Sequence, residues 1–241
     1  MNTINDERAQ NEQFHAALSR TDGGRTAAMA KEKTPHIPPD RSLEDHYLAQ
    51  GYKVVCGTDE AGRGPLAGPV AAAAVILPPD FHADGLDDSK KLTEKARDRL
   101  YDFITENAVS WAVELVDAAT IDEINILEAS QLTMRRAVAR LTPKADLVLV
   151  DGNIARDFPI DAVPIIGGDA KSVSIAAASI IAKVTRDRIC LELDELYPEY
   201  GFKKHKGYPT KAHREAVMQY GPSPCHRHSF LKFYYNSKND G

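Results

Sequence analysis

The chain has 241 residues, 43% of them apolar, and a formal net charge of −5. That length and apolar share suffice for one sizeable core in one domain, at most two, and the acidic balance excludes a protein that coats nucleic acid through a global positive field. No apolar run approaches the roughly 20 residues of a membrane span, and three scattered cysteines, Cys56, Cys190 and Cys225, exclude a disulfide framework and favour a reducing compartment, here the cytoplasm.

Residues 1–45 read as a disordered tail and 46–241 as the folded domain. The tail is rich in Asn, Gln, Thr, Lys and Glu, is punctuated by Pro35, Pro38 and Pro39, and lacks the apolar core of a secretion signal. Tyr52 to Cys56 is an apolar run that suggests a first strand, ending in the glycine-rich turn Gly57 to Pro69. Val70 to Leu77 is a second strand. Thr93 opens a helix with Ala96, Leu100, Phe103 and Ile104 on one face. Val109, Trp111, Val113 and Leu115 alternate as a third strand, and Thr120 to Glu123 fits a capping box. A helix over 126–141 presents Leu127, Met134, Val138 and Leu141. Asp146 to Val150 is a short apolar strand typical of a sheet covered on both faces, and Ala162 to Ile166 is a fifth. A long helix follows from Ser174, its small residues Ala176 to Ser179 suited to close packing, and a last helix runs from Lys211 to Tyr220. Strands alternating with helices make the class α/β.

The turn carries the chemistry. Asp59 and Glu60 stand where the first strand gives way to Gly62, Arg63 and Gly64. Adjacent strand residues point to opposite faces, so the two carboxylates converge only if the chain bends there. A dinucleotide fingerprint is excluded, because Pro65 and Pro69 disfavour the helix it needs and the acids would repel a pyrophosphate. Asp151 follows the fourth strand and Asp169 the fifth. If strands 1, 4 and 5 are parallel neighbours, these acids share the edge where open α/β sheets bind ligands. Clustered carboxylates call for hard divalent cations with oxygen ligands, Mg²⁺ or Mn²⁺. A pair of such ions roughly 3.5–4 Å apart supports phosphodiester hydrolysis. Asp187 competes for a place in the cluster, but Lys183, Arg186 and Arg188 around it suggest a solvated or salt-bridging acid. Phosphate contacts are expected from the local basic clusters: Lys90 and Lys91, then Lys203, Lys204, His205 and Lys206 beside Tyr208, then His226, Arg227 and His228. None of the histidines is assigned a catalytic role.

The string Asp59-Glu60-Ala61-Gly62-Arg63-Gly64 resembles the signature of ribonuclease HII, the type 2 ribonuclease H family. Asp88-Ser89-Lys90-Lys91, Asp151-Gly152-Asn153, Gly168-Asp169, Ala176 to Asp187 and His205 to Pro209 follow in the family's order, so the similarity spans about 51–233. The resemblance implies a ribonuclease H-like fold: a five-stranded mixed sheet in the order 3-2-1-4-5, flanked by helices. It implies catalytic, metal-binding acids Asp59, Glu60, Asp151 and Asp169, with two divalent ions in the working state. It makes Gly62, Arg63, Gly64 and Tyr208 the readers of a ribonucleotide at an RNA–DNA junction; Lys90, Lys91 and Lys206 of the basic clusters are expected as further substrate contacts on charge alone. The implied activity is endonucleolytic cleavage of RNA in RNA–DNA hybrids and on the 5′ side of ribonucleotides embedded in duplex DNA. Such cuts leave 3′-hydroxyl and 5′-phosphate ends and serve ribonucleotide excision repair, by a monomer with no membrane partner. A non-catalytic nucleic-acid-binding module on the same fold is the alternative.

Overall fold

A computed structural model describes residues 37–87, 89–90 and 92–239. Five strands, β1 (Val55–Ala61), β2 (Val70–Ile76), β3 (Ser110–Val116), β4 (Leu147–Asp151) and β5 (Asp161–Ile165), form one sheet in the order β3-β2-β1-β4-β5. β1 pairs with β2 and β2 with β3 antiparallel, whereas β1–β4 and β4–β5 are parallel. The mixed α/β sheet and its strand order are those expected.

Besides a single helical turn at Phe202–His205, the described α-helices are α1 (Ser42–Ala49), α2 (Glu94–Asn107), α3 (Ala118–Ile124), α4 (Ile126–Arg140), α5 (Val173–Leu196), α6 (Lys211–Tyr220) and α7 (Lys232–Asn239). β2 reads Val-Ala-Ala-Ala-Ala-Val-Ile and is buried throughout, so it must be covered on both sides. Its alternation divides the core. Ala73 and Val75 pack with Leu100 and Ile104 of α2 and with Ala177 and Ile181 of α5. Ala72, Ala74 and Ile76 pack with Met134, Ala137 and Val138 of α4 on the opposite face. Gly57 explains how α5 comes so close to the sheet: a Cβ there would stand 2.4 Å from the Ile175 nitrogen. A third cluster joins Leu66 and Ala67 of the turn after β1 to Tyr200, Phe202, Val217 and Leu231 near the C-terminus.

Two expectations change. The capping box at Thr120 is not a helix start: α3 begins at Ala118, because the Asp117 carboxylate accepts from the Thr120 N–H at 2.9 Å and caps the helix one turn earlier. The boundary at 45 falls inside α1, whose Leu43, Glu44 and Tyr47 are buried. Residues 1–36 of the expected tail lie outside the described residues.

Glu44 shows why α1 belongs to the fold. Its Oε1 accepts from the Ser172 hydroxyl at 2.6 Å, from the Ser174 hydroxyl at 2.6 Å and from the Ser174 N–H at 3.0 Å. Ser172 caps α5, so the carboxylate sits at the positive end of that helix dipole. Glu44→Ala should destabilise the protein by ~2–3 kcal/mol, the worth of charge-assisted bonds plus the donors left buried and unpaired. Calorimetry should also find a chain lacking 1–45 less stable than one lacking 1–36.

Candidate active site

β1 runs on through Asp59 and Glu60 to Ala61, where a turn was expected from Gly57, and this places the acids. Asp59 lies opposite Ala73 and Glu60 opposite Ala72, so each shares a face with its partner. Asp59 faces α5, where the Ser179 hydroxyl stands beside it. Glu60 faces α4, where Ser130 is near enough to lower its pKa although the Ser130 hydroxyl lies outside hydrogen-bond geometry. The pair converges at the strand's end rather than through a kink. Parallel pairing puts Asp151, the last residue of β4, on the same edge, and Asp169 follows β5 on a 3₁₀ turn. The Gly168 N–H donates to Asp151 Oδ1 at 2.7 Å, and the Lys90 ammonium stands 3.5 Å from Asp169 Oδ2.

Burial holds Asp59 well above the usual carboxylate range, and the charges of Glu60, Asp151 and Asp169 push the same way. Burial also raises Glu60, against the pull of Arg63, whose guanidinium lies 3.5 Å from Glu60 Oε1. Among the described residues no three acidic, imidazole or thiol side chains already close on a single point at the spacing of a bound ion. Asp59, Glu60 and Asp151 instead line one opening, and the charge of Asp169 bears on Asp59 from beside it. An all-oxygen, multiply anionic donor set at that opening suits a hard divalent cation.

The opening leads into a cleft of about 280 Å³ lined by Asp59, Glu60, Asp151, the Gly62–Gly64 turn and Tyr208. Lys90, Ser89, Ser179, Lys183 and Arg186 complete its walls. Gly62 has φ +99°, and a Cβ on it would collide with the Arg186 Nε at 2.0 Å. The Tyr208 ring stands 3.5 Å from where a Gly64 Cβ would be. Of the other expected substrate residues, Lys206 gives its carbonyl to Arg186 at 3.0 Å and does not wall the cleft. Lys91 lies outside the described residues.

Of the third basic cluster, His228 is exposed but His226 and Arg227 are not at the surface. Arg227 is 0% exposed and His226 1%, because both are spent inside the fold. His226 Nδ1 accepts from the Ser223 N–H, so its Nε2 carries the proton and donates to His213 Nε2 at 3.0 Å. His213 Nδ1 then donates to the Tyr208 carbonyl at 2.9 Å. Asp187 is also buried rather than solvated, with Lys183 Nζ at 2.6 Å and Arg97 at 3.9 Å. Arg97 in turn donates to the Ser89 and Leu92 carbonyls, so this acid braces the Lys90 loop. Sequence reasoning gave no place at the site to Arg186, Ser130, Ser89, Ser179 or Lys183, and Gly62, which must be small for Arg186 to approach, signalled only the first.

The family model for ribonuclease HII matches residues 56–233. The chain is 56% identical over 189 residues to a ribonuclease HII of Acetivibrio thermocellus, covering 78% of this chain and 74% of that protein. A ribonuclease HII of Caldanaerobacter subterraneus is 44% identical over 223 residues, covering 91% and 92%. The crystal structure of ribonuclease H2 from Pyrococcus horikoshii superposes with a TM-score of 0.63 at 29% identity, over 77% of this chain and 99% of that one.

Two expectations about stability follow from these charges. His213 and His226 are pushed down from 6.5 to about 4, chiefly by burial, so the native state takes up their protons less readily than the unfolded chain. Stability from this pair is full above pH 6.5 and is lost as the pH falls towards 4. A melting curve series should show that acid limb. Asp59 has the opposite sign: its raised native pKa means stability is lost as the pH rises through it. Asp59→Asn should therefore raise the melting temperature of the metal-free protein at neutral pH, by ~2–4 °C per kcal/mol of repulsion relieved.

Proposed function

This chain belongs to the ribonuclease HII family and is a ribonuclease H endonuclease, and on that premise we propose which of its residues do the work. Asp59, Glu60, Asp151 and Asp169 hold divalent ions, Mg²⁺ or Mn²⁺. The reading is supported by one observation: acids from β1 and β4 line the cleft that the Gly62–Gly64 turn and Tyr208 also line, and the charge of Asp169, after β5, bears on Asp59. The alternative of a non-catalytic binding module falls with the family assignment.

Divalent ions bound by those acids would supply Lewis-acid activation of water and stabilisation of the departing 3′-oxygen. The chain's own groups bind and orient. Lys90 and the half-exposed Arg63 bring positive charge to the cleft, where it meets the scissile phosphate and its neighbour. The Tyr208 ring, 44% exposed, offers a face to the sugar or base. The main chain at Gly62–Gly64 approaches the minor groove closely enough to hydrogen-bond a 2′-hydroxyl, the group that separates RNA from DNA. Lys183 is held by Asp187 at the cleft wall, which keeps its ammonium directed and its charge partly neutralised.

Substrates on this reading are RNA–DNA hybrids and duplex DNA carrying ribonucleotides. Every acid and the Tyr208 loop come from one chain, which supports action as a monomer. The three free cysteines support a cytoplasmic location. No helix of the described residues is long and apolar enough to cross a membrane.

On a duplex with one embedded ribonucleotide, the enzyme should cut on its 5′ side, stop in excess chelator and resume when Mg²⁺ or Mn²⁺ is restored. Cleavage undiminished by chelator would sink the metal assignment. Asp59→Asn, Asp151→Asn and Asp169→Asn should each lose more than the ~10–100-fold that even an outer partner of a metal ligand is worth, while Asp187→Asn loses less than ~10-fold. The reverse order for Asp169 and Asp187 would reassign the fourth acid. Tyr208→Ala should slow cleavage at an isolated ribonucleotide, with calorimetric metal binding near that of the parent.

A further inference from the structure

Arg186 and Arg227 are 1% and 0% exposed, among the largest fully buried side chains of the described residues. Each spends its guanidinium on main-chain carbonyls. Arg227 Nη2 donates to the Gly62 carbonyl at 2.7 Å, Nη1 to Arg63 at 3.2 Å, and Nε and Nη2 to Gly68 at 3.0 and 2.8 Å. Arg186 donates to the carbonyls of Ala67, Pro69 and Lys206. Burial, and then the charge of Arg186, pull the Arg227 pKa down to about 9. A buried cation beside another cation is an expensive way to fill space, and well-packed apolar side chains commonly do as well or better. What the charge adds here is direction.

The carbonyl and the N–H of a planar trans peptide point opposite ways. With the Gly62 and Arg63 carbonyls turned inward onto Arg227, the N–H groups of Arg63 and Gly64 are turned away from the core. Neither N–H has a hydrogen-bond acceptor among the described residues. Both residues line the cleft beside Tyr208. Arg186 ties the other end of the same turn to the loop that carries Tyr208, through Ala67 and Lys206. The two parts of the ribose-reading surface are thus held from behind by buried charge.

We propose that Arg227 is the positioning residue for ribose selection: by holding the Gly62 and Arg63 carbonyls it presents the Arg63 and Gly64 amides to the substrate's 2′-hydroxyl. This deepens the proposed function and rests on its assignment of the glycine turn. Arg227 does not line the cleft, so it acts through the turn and not on the substrate.

The test uses the full chain as parent, Arg227→Lys and Arg227→Met. Lysine keeps the charge but loses the fork that spans several carbonyls at once. Dissociation constants are measured by fluorescence anisotropy, in chelator, for one duplex with a single ribonucleotide and for its all-deoxy twin. The parent should favour the ribonucleotide duplex, and folded Arg227→Lys should lose about tenfold of that ratio, the size of one or two neutral amide–hydroxyl hydrogen bonds. Its calorimetric metal binding should match the parent's. A folded variant that keeps the parental ratio overturns the role of Arg227, whereas a parent with no preference overturns the reading of the glycine turn beneath it. Should both variants unfold, amide exchange on the parent decides. Protection of the Arg63 and Gly64 amides by the ribonucleotide duplex alone supports the proposal, and equal protection by both duplexes overturns it.

Discussion

Mutual repulsion among carboxylates at one edge of the sheet is the constraint to which the rest of the molecule answers. Parallel pairing of β1, β4 and β5 brings Asp59, Glu60, Asp151 and Asp169 together whether or not their charges can be tolerated. Backbone pairing and apolar burial set the positions, and electrostatics must adapt. The surroundings supply partial relief: the Gly168 N–H on Asp151, Lys90 by Asp169, Arg63 by Glu60 and Ser179 by Asp59. Burial and repulsion still leave Asp59 and Glu60 with raised pKa values. Such a cluster is poised to take up cations, because binding removes the repulsion that folding put there.

The substrate side of the cleft is built on the opposite plan. There the charges are buried cations, and their partners are carbonyls of the turn after β1. Carbonyls are fixed dipoles that cannot leave by protonation, so acid does not release the turn from its arginines. The histidine relay adds a second tether, running from the Ser223 N–H through His226 and His213 to the Tyr208 carbonyl. It depends on both imidazoles being neutral, since a proton added to either puts a donor where an acceptor is needed. The acid cluster and the histidine relay therefore respond to acid in opposite senses although they lie beside one cleft.

Asp187 shows how a side chain beside an active site can be mistaken for part of it. It lies on α5, which also carries Ser179 and Lys183, and its type is right for a metal ligand. Its carboxylate is instead engaged by Lys183 and lies near Arg97, and Arg97 reaches on to the loop holding Ser89. An acid already paired with cations has little left to offer another. Its contribution is to the shape of the wall.

The α/β class and the five strands were legible in the sequence, and four acids stood out there as candidates, because each leaves a local trace. Alternation and apolar runs report strand faces, and an acid after an apolar run reports a strand end. Glycines at 57 and 62 mark where other groups press on the main chain, though not which groups. What stayed hidden was decided by contacts distant in sequence. Arg227 and His226 read as surface charge, since a basic residue looks the same in the chain whether it meets water or carbonyls 159 residues or more away. Glu44 read as tail for the same reason, its partners standing 128 and 130 residues on. Local physics thus determined the elements and the candidate groups. Tertiary structure alone decided which charges are spent inside the fold and which remain to meet a substrate, because burial belongs to the packed whole and not to any one stretch of it.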